Sequence, residues 1–244
     1  MKRLIACILF LAAATALAQT PIPRVSIGVD SAQNPQDVAL TLQIVAFMTL
    51  LSLAPSLLMM MTGFTRIVIV LSFLRTAIGS PTTPPNPVLI GLSLFLTFYV
   101  MAPTLDDVNK NALQPYMNKE ITFQVALERA QAPVRDFMLR QTYTQDLNLF
   151  ISMQGKPPPE KPEDLSLLTL IPAFIVSELK TAFLIGFYIY IPFLIIDLVV
   201  ASVLLGMGMM MLPPMVVSLP AKLLVFTLAN GWSTLAQALV SGFR

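Results

Sequence analysis

The sequence predicts an all-α membrane protein built from bent and broken helical hairpins. Three observations lead there. Apolar residues make up 56% of the chain and charged residues only 11%, against roughly 45–50% and about 25% in a soluble domain. Most of the charge lies between Asp106 and Asp164, leaving long stretches on either side with isolated charges or none; spans flanking one water-exposed region read this way. Prolines and glycines interrupt the apolar stretches, so their helices are expected to bend or break.

The amino-terminal end has its own logic. Lys2 and Arg3 form a short positive region, Leu4 to Leu17 is apolar, and Ala16-Leu17-Ala18 is a small-x-small cleavage site. Residues 1–18 are therefore read as a cleaved secretory signal peptide, with an uncleaved anchor as the alternative. The only cysteine, Cys7, leaves with that segment, and the chain has no histidine. Disulfides and Cys or His metal sites are then excluded from the mature protein. Loss of Lys2 and Arg3 takes the formal charge from +2 to zero, so no basic excess points to nucleic acid.

Residues 19–37 carry three prolines and little periodicity, which reads as an exposed leader, with Asp37 able to cap the first helix. Val38 to Thr62 is uncharged and long enough to span, at about 25 residues against about 20 required. Pro55 is expected to kink it, and Gly63 to end it. Phe64 to Ile78 is apolar but carries Arg66 and Arg75, and it stops in Gly79-Ser80-Pro81. Two arginines beside a span that starts outside agree with the positive-inside rule. Val88 to Pro103 is a second, uncharged span, so residues 38–103 form a first helical hairpin.

Residues 104–164 are the water-exposed, extracytoplasmic region. Two amphipathic helices are expected in it, Thr122–Ala130 and Val134–Phe150, the second started by Pro133. Phe137, Met138, Gln141, Leu147 and Phe150 share one face, with Arg135, Asp136, Arg140 and Asp146 largely opposite. Lys156 to Asp164, with three successive prolines, reads as a linker. Residues 165–244 form a second hairpin. As one helix, Leu165–Leu212 would exceed about 70 Å, against a bilayer core of about 30 Å. It must bend, break, double back or leave the membrane, with Pro172, Gly186, Pro192 and Gly206–Gly208 as candidate breaks.

A search for catalytic equipment finds none. Triads and thiol sites are excluded without His or mature Cys. The pairs Asp106-Asp107 and Glu163-Asp164 are sequence neighbours in exposed loops, and Gly206-Met207-Gly208 lacks the third glycine of a dinucleotide fingerprint. The chain is read as a non-enzyme without cofactor or metal.

Two features remain. Arg66, Arg75, Glu178, Lys180, Asp197 and Lys222 interrupt apolar runs. Each costs about 2.5–3.5 kcal/mol at the centre of a lipid-facing helix, so they are expected in buried or inter-subunit pairs, with snorkelling near helix ends as the bland alternative. Glu178 and Lys180, two residues apart, should reach different partners. The second feature is Met209-Met210-Met211, framed by the hinge residues Gly206, Gly208, Pro213 and Pro214. Unbranched, polarisable methionines re-pack around different shapes. Around an axis they would make a deformable hydrophobic ring; ordinary core or lipid-facing methionines are the alternative.

Several stretches resemble the FliP family of flagellar export-gate proteins and their injectisome counterparts (SctR). They include Phe64-Thr65-Arg66-Ile67, Leu74-Arg75 to Gly79, Pro84-Pro85-Asn86 and Phe137-Met138-Leu139-Arg140-Gln141. A longer signature runs from Ser177-Glu178-Leu179-Lys180 through Ile191-Pro192, Asp197, Met209-Met210-Met211 and Pro213-Pro214 to Lys222. Asn230 departs from it, standing before Gly231-Trp232 where flagellar relatives often have Asp.

The resemblance implies a gate subunit of a type III export apparatus in the bacterial inner membrane, at the flagellar basal body. It implies a pentamer packed with FliQ and FliR into a cone-like assembly, FlhB and FlhA nearby, and unfolded flagellar proteins crossing at the centre. Met209, Met210 and Met211 match the family's constriction; Glu178, Lys180, Asp197 and Lys222 match charges that stabilise subunit packing. A proton- or ion-coupled transporter using Asp197, Glu178 and Lys180, or a scaffold with no conducting role, are the competing functions.

Overall fold

The computed structural model describes residues 35–80, 82–155, 165–209 and 211–243. The proposed signal peptide, the leader up to residue 34, the Lys156–Asp164 linker and Met210 lie outside the described residues. Among the described residues there are helices and no strand. In chain order they are α1 (Pro35–Met60), α2 (Phe64–Ile78), α3 (Asn86–Val108), α4 (Phe123–Gln141), α5 (Thr144–Met153), α6 (Leu167–Gly206), α7 (Pro214–Leu228) and α8 (Gly231–Ser241). Three are long and apolar enough to cross a membrane: α1 over Thr41–Met60, α3 with its continuation to Met117, and α6. Bent by 63° at their junction, α7 and α8 make a fourth candidate together.

The chain divides into two units after Leu50. In the first, α1 begins at Pro35, a residue suited to the first helical position. Asp37 thus lies inside the first turn and not at the cap. Leu42, Val45, Phe47 and Leu50 are all exposed, so this part of the helix is apolar on every side. In the second unit α1 continues through Pro55 to Met60.

The second unit is organised around α2. Ile67, Val70, Leu71, Leu74, Ala77 and Ile78 recur at helical spacing and are buried. They pack with Leu89 of α3, Ala182 and Phe193 of α6, Phe226 of α7, and Leu235 and Leu239 of α8. At 15 residues α2 is only about 22 Å long, which is short for a span, and it packs against the longer α3 and α6 as well as α7 and α8. A second cluster gathers Met101 of α3, Phe137 and Met138 of α4, and Leu170 and Phe174 of α6. Where lipid surrounds such helices, burial alone gives no preference for protein over lipid tails. Close packing and polar pairing must then hold the unit together.

Several expected breaks are absent. The span read as Val88–Pro103 runs on through Pro103 to Val108. A π-turn, Asn109–Leu113, then carries it into Gln114–Met117. Here the Gln114 N–H reaches back to the Asn109 carbonyl, just ahead of Pro115, which has no N–H to give. The stretch 38–103 therefore holds α1, α2 and most of α3, more than a two-helix hairpin. Likewise α4 does not start at Pro133; it runs from Phe123 through that proline. Ala126 before it and Phe137 and Met138 after it are all buried, and this packing overrides the missing hydrogen bond. The real break falls at Thr142, which turns extended (φ −92°, ψ 129°).

The 40 residues of α6 pass through Pro172, Gly186 and Pro192 without ending, which overturns those three candidate breaks. Neighbouring helices and side chains let such a helix keep its prolines. Gly186 serves packing instead. A Cβ there would lie 2.6 Å from the Phe73 ring, so its absence lets α2 and α6 approach. Only the last candidate, Gly206–Gly208, is a break.

Candidate functional site

From α6 three charged side chains reach three different partners. Near its start, Glu178 is fully buried and receives Arg66 of α2 as a two-pronged pair: Nε donates to Oε2 at 2.9 Å and Nη2 to Oε1. The same guanidinium donates to the Gln141 amide oxygen at 3.0 Å and to the Gly242 carbonyl at 3.0 Å. Three other segments thus converge on one cation of α2, which is the arrangement a buried charge requires.

Two residues on, Lys180 pairs with Asp146 of α5; the lysine is 54% exposed, so it reaches water as well as its partner and is not the buried charge expected from its apolar surroundings. Asp146 is nearly inaccessible and also accepts from the Ser177 hydroxyl at 2.8 Å. Ser177 in turn accepts the Tyr143 N–H at 3.0 Å, which fixes the α4–α5 corner to α6. Burial pushes the Asp146 carboxyl up, but the hydrogen bonds from Lys180 and Ser177 outweigh it and hold the group below its usual range. The sequence pattern puts Asp146 on the solvent face of its helix; the structure turns it inward.

Farther along, Asp197 accepts from Lys222 Nζ at 2.6 Å and from the Ser218 hydroxyl at 2.5 Å, both on α7. Lys222 Nζ also donates to the Ala77 carbonyl at 3.1 Å. That carbonyl belongs to the last turn of α2, where a cation meets both an unsatisfied acceptor and the negative helix end. One lysine therefore joins α2, α6 and α7. Glu178 and Asp197 stand about 28 Å apart along α6, close to the bilayer core of about 30 Å.

Arg75 does local work, donating to Asn86 Oδ1 at 2.5 Å and to the Pro84 carbonyl at 3.4 Å. It holds the turn between α2 and α3. All six charges singled out in the sequence therefore find partners within the same chain.

The methionine turn comes after α6. Gly208 adopts φ +75°, a conformation other residues rarely take. Its N–H returns to the Leu205 carbonyl at 3.0 Å and that of Met209 to the Leu204 carbonyl at 2.9 Å, the paired closure that ends a helix at a left-handed residue. Gly206 is the last helical residue, Pro213 caps α7 in an extended conformation, and Pro214 is the first residue of that helix. Within this frame Met209 is 39% and Met211 97% exposed, so these side chains are presented outward. Asn230, at the α7–α8 bend, has φ 50°, which Asn tolerates better than most residues.

The family model for the FliP family matches residues 47–239. The chain belongs to the FliP family. It is 50% identical to the flagellar biosynthetic protein FliP of Bacillus subtilis, covering 89% of this chain and 98% of that one. It is 53% identical to the protein of that name from Pectobacterium carotovorum, over 85% and 81% of the two chains. To the one from Caulobacter vibrioides it is 48% identical, over 98% and 88%.

Sequence reasoning located Glu178, Lys180, Asp197 and Lys222 because a charge in an apolar run is conspicuous. It missed Asp146, Ser177, Ser218 and Gly242. Asp146 sits among other charges and serines are unremarkable, so nothing local marks them.

Proposed function

We propose that this FliP-family chain is a pore-forming subunit of the flagellar type III export gate, conducting unfolded flagellar proteins across the bacterial inner membrane. Five copies pack with FliQ and FliR, with FlhB and FlhA alongside, after removal of residues 1–18. Residues 104–164 belong to the periplasmic side. Met209, Met210 and Met211 form the gasket of the closed channel, with Gly206, Gly208, Pro213 and Pro214 setting the turn that carries them. The chain contributes no chemistry; a separate ATPase and the proton gradient supply the energy.

The supporting observation is the contrast at the end of α6. An outward-pointing methionine turn is carried between two helices that the Asp197–Lys222 pair locks together. Such a mount holds the turn in place, while flexible thioether side chains can close on each other and yield to a polypeptide. The names of the relatives support the flagellar assignment. A proton-coupled transporter is less well supported, since Asp197 is committed to Lys222 and Ser218.

The test is ion leakage. Replacing Met209, Met210 and Met211 with alanine is expected to make cells or vesicles carrying the assembled gate permeable to small ions while export continues. Leakage at the wild-type level would refute the gasket. A gate that assembles with Asp197→Asn but loses proton coupling would favour the transporter.

A further inference from the structure

One residue belongs to both apolar clusters. Phe243 packs against the α2-centred cluster and against the Phe137–Phe174 cluster, its ring stacked on Phe137 at 6.2 Å between centroids. The same ring also covers a charge. The Arg66 guanidinium carbon lies 3.9 Å from its centroid, and Arg66 Nη1 donates to the neighbouring Gly242 carbonyl at 3.0 Å. Gln141 Nε2 donates to the Phe243 carbonyl at 3.3 Å. The seat is shaped by a missing side chain: a Cβ on Gly63 would lie 2.7 Å from the ring.

We propose that Gly242–Phe243 is a clasp that closes over the Arg66–Glu178 pair. Seated, it gives the guanidinium a fourth hydrogen bond, through the Gly242 carbonyl, and an aromatic face, which attracts the cation more strongly where water is excluded. It also ties α8 to the start of α2 and to the end of α4. Released, it opens the space beneath Gly63, admits water to the pair and uncouples α8 from the α4–α5 region. The position of α8 and the packing of that region are therefore set together by one side chain. The clasp is built into the single subunit and does not depend on the pore reading above.

Two variants attack the clasp from opposite sides. Phe243→Ala removes the ring, and Gly63→Ala fills its seat at a backbone conformation (φ −67°) that alanine accepts. Backbone hydrogen exchange would be followed in the full chain in lipid nanodiscs. Each variant is expected to speed exchange about tenfold in the second turn of α2, whose amides are the first to be helix-bonded, and in the last turn of α4. Exchange around Lys222 should stay as in the wild type. Because both act on one contact, combining them should add little to the larger single effect. The clasp is overturned if neither variant changes exchange, if exchange rises uniformly along the chain, or if the two effects multiply.

Discussion

The two ends of α6 differ in kind. Around Glu178 the charges are tied from several directions: Arg66 of α2 binds its carboxylate and is held in turn by Gln141 of α4 and the Gly242 carbonyl, while Asp146 of α5 binds the adjacent Ser177 and Lys180. Around Gly206 the helix ends in an exposed turn in which Met207 and Met211 stand largely free of their own chain. Between them and nearer the turn, Asp197, Ser218 and Lys222 brace α6 against α7 and α2. One helix thus has a rigid anchor at one end and a deformable turn at the other. Rigidity here comes from satisfied charge in a low-dielectric setting, and deformability from thioethers without fixed partners.

The largest way to break this comparison lies at the anchor. Glu178→Leu leaves the Arg66 cation buried with half its hydrogen bonds, which is expected to destabilise the subunit by about 3–5 kcal/mol. Denaturant unfolding in mild detergent measures it; a loss below about 1 kcal/mol would mean that water already reaches the pair. Neutralising both partners together should cost less than Glu178→Leu alone, since no uncompensated charge remains.

A smaller effect is expected at Asp146. Its folded carboxyl titrates below the usual value, so the stability it contributes is present above the unfolded pKa of about 3.9 and is lost as pH falls toward the lower, folded one. Thermal midpoints of wild type and Asp146→Asn, measured from pH 7 down to about pH 3, should therefore converge with acid. A gap that stays constant across that range would show that the carboxylate charge is not what docks α5 on α6. Smallest of all is the expected effect on stability at the turn. The alanine replacement of Met209–Met211 should shift unfolding by no more than about 0.5 kcal/mol, although it alters leakage. A loss comparable to Glu178→Leu would erase the distinction between anchor and turn.

How much of this is legible in the sequence depends on the kind of signal. An apolar run with a charge in it stands out by composition, so Arg66, Glu178, Asp197 and Lys222 can be picked out residue by residue. The helix stop at Gly208 is equally readable, because only a residue tolerant of positive φ suits that closure. Pro103, Pro133, Pro172 and Pro192 mislead for the opposite reason. A proline's local penalty is a few kcal/mol, and packing distributed over buried neighbours such as Phe137, Met138 and Phe174 exceeds it. No window of sequence contains those neighbours.

From sequence alone came the helical class, the apolar runs, the conspicuous charges within them and the turn that ends α6. These rest on covalent geometry, hydropathy and solvation, which act locally. Tertiary structure alone decided that α6 is one helix, that Asp146 faces inward, which cation meets which anion, and that Phe243 covers Arg66. Pairing is a property of distance in space: Arg66 and Glu178 are 112 positions apart in the chain, and only the fold brings them to 2.9 Å.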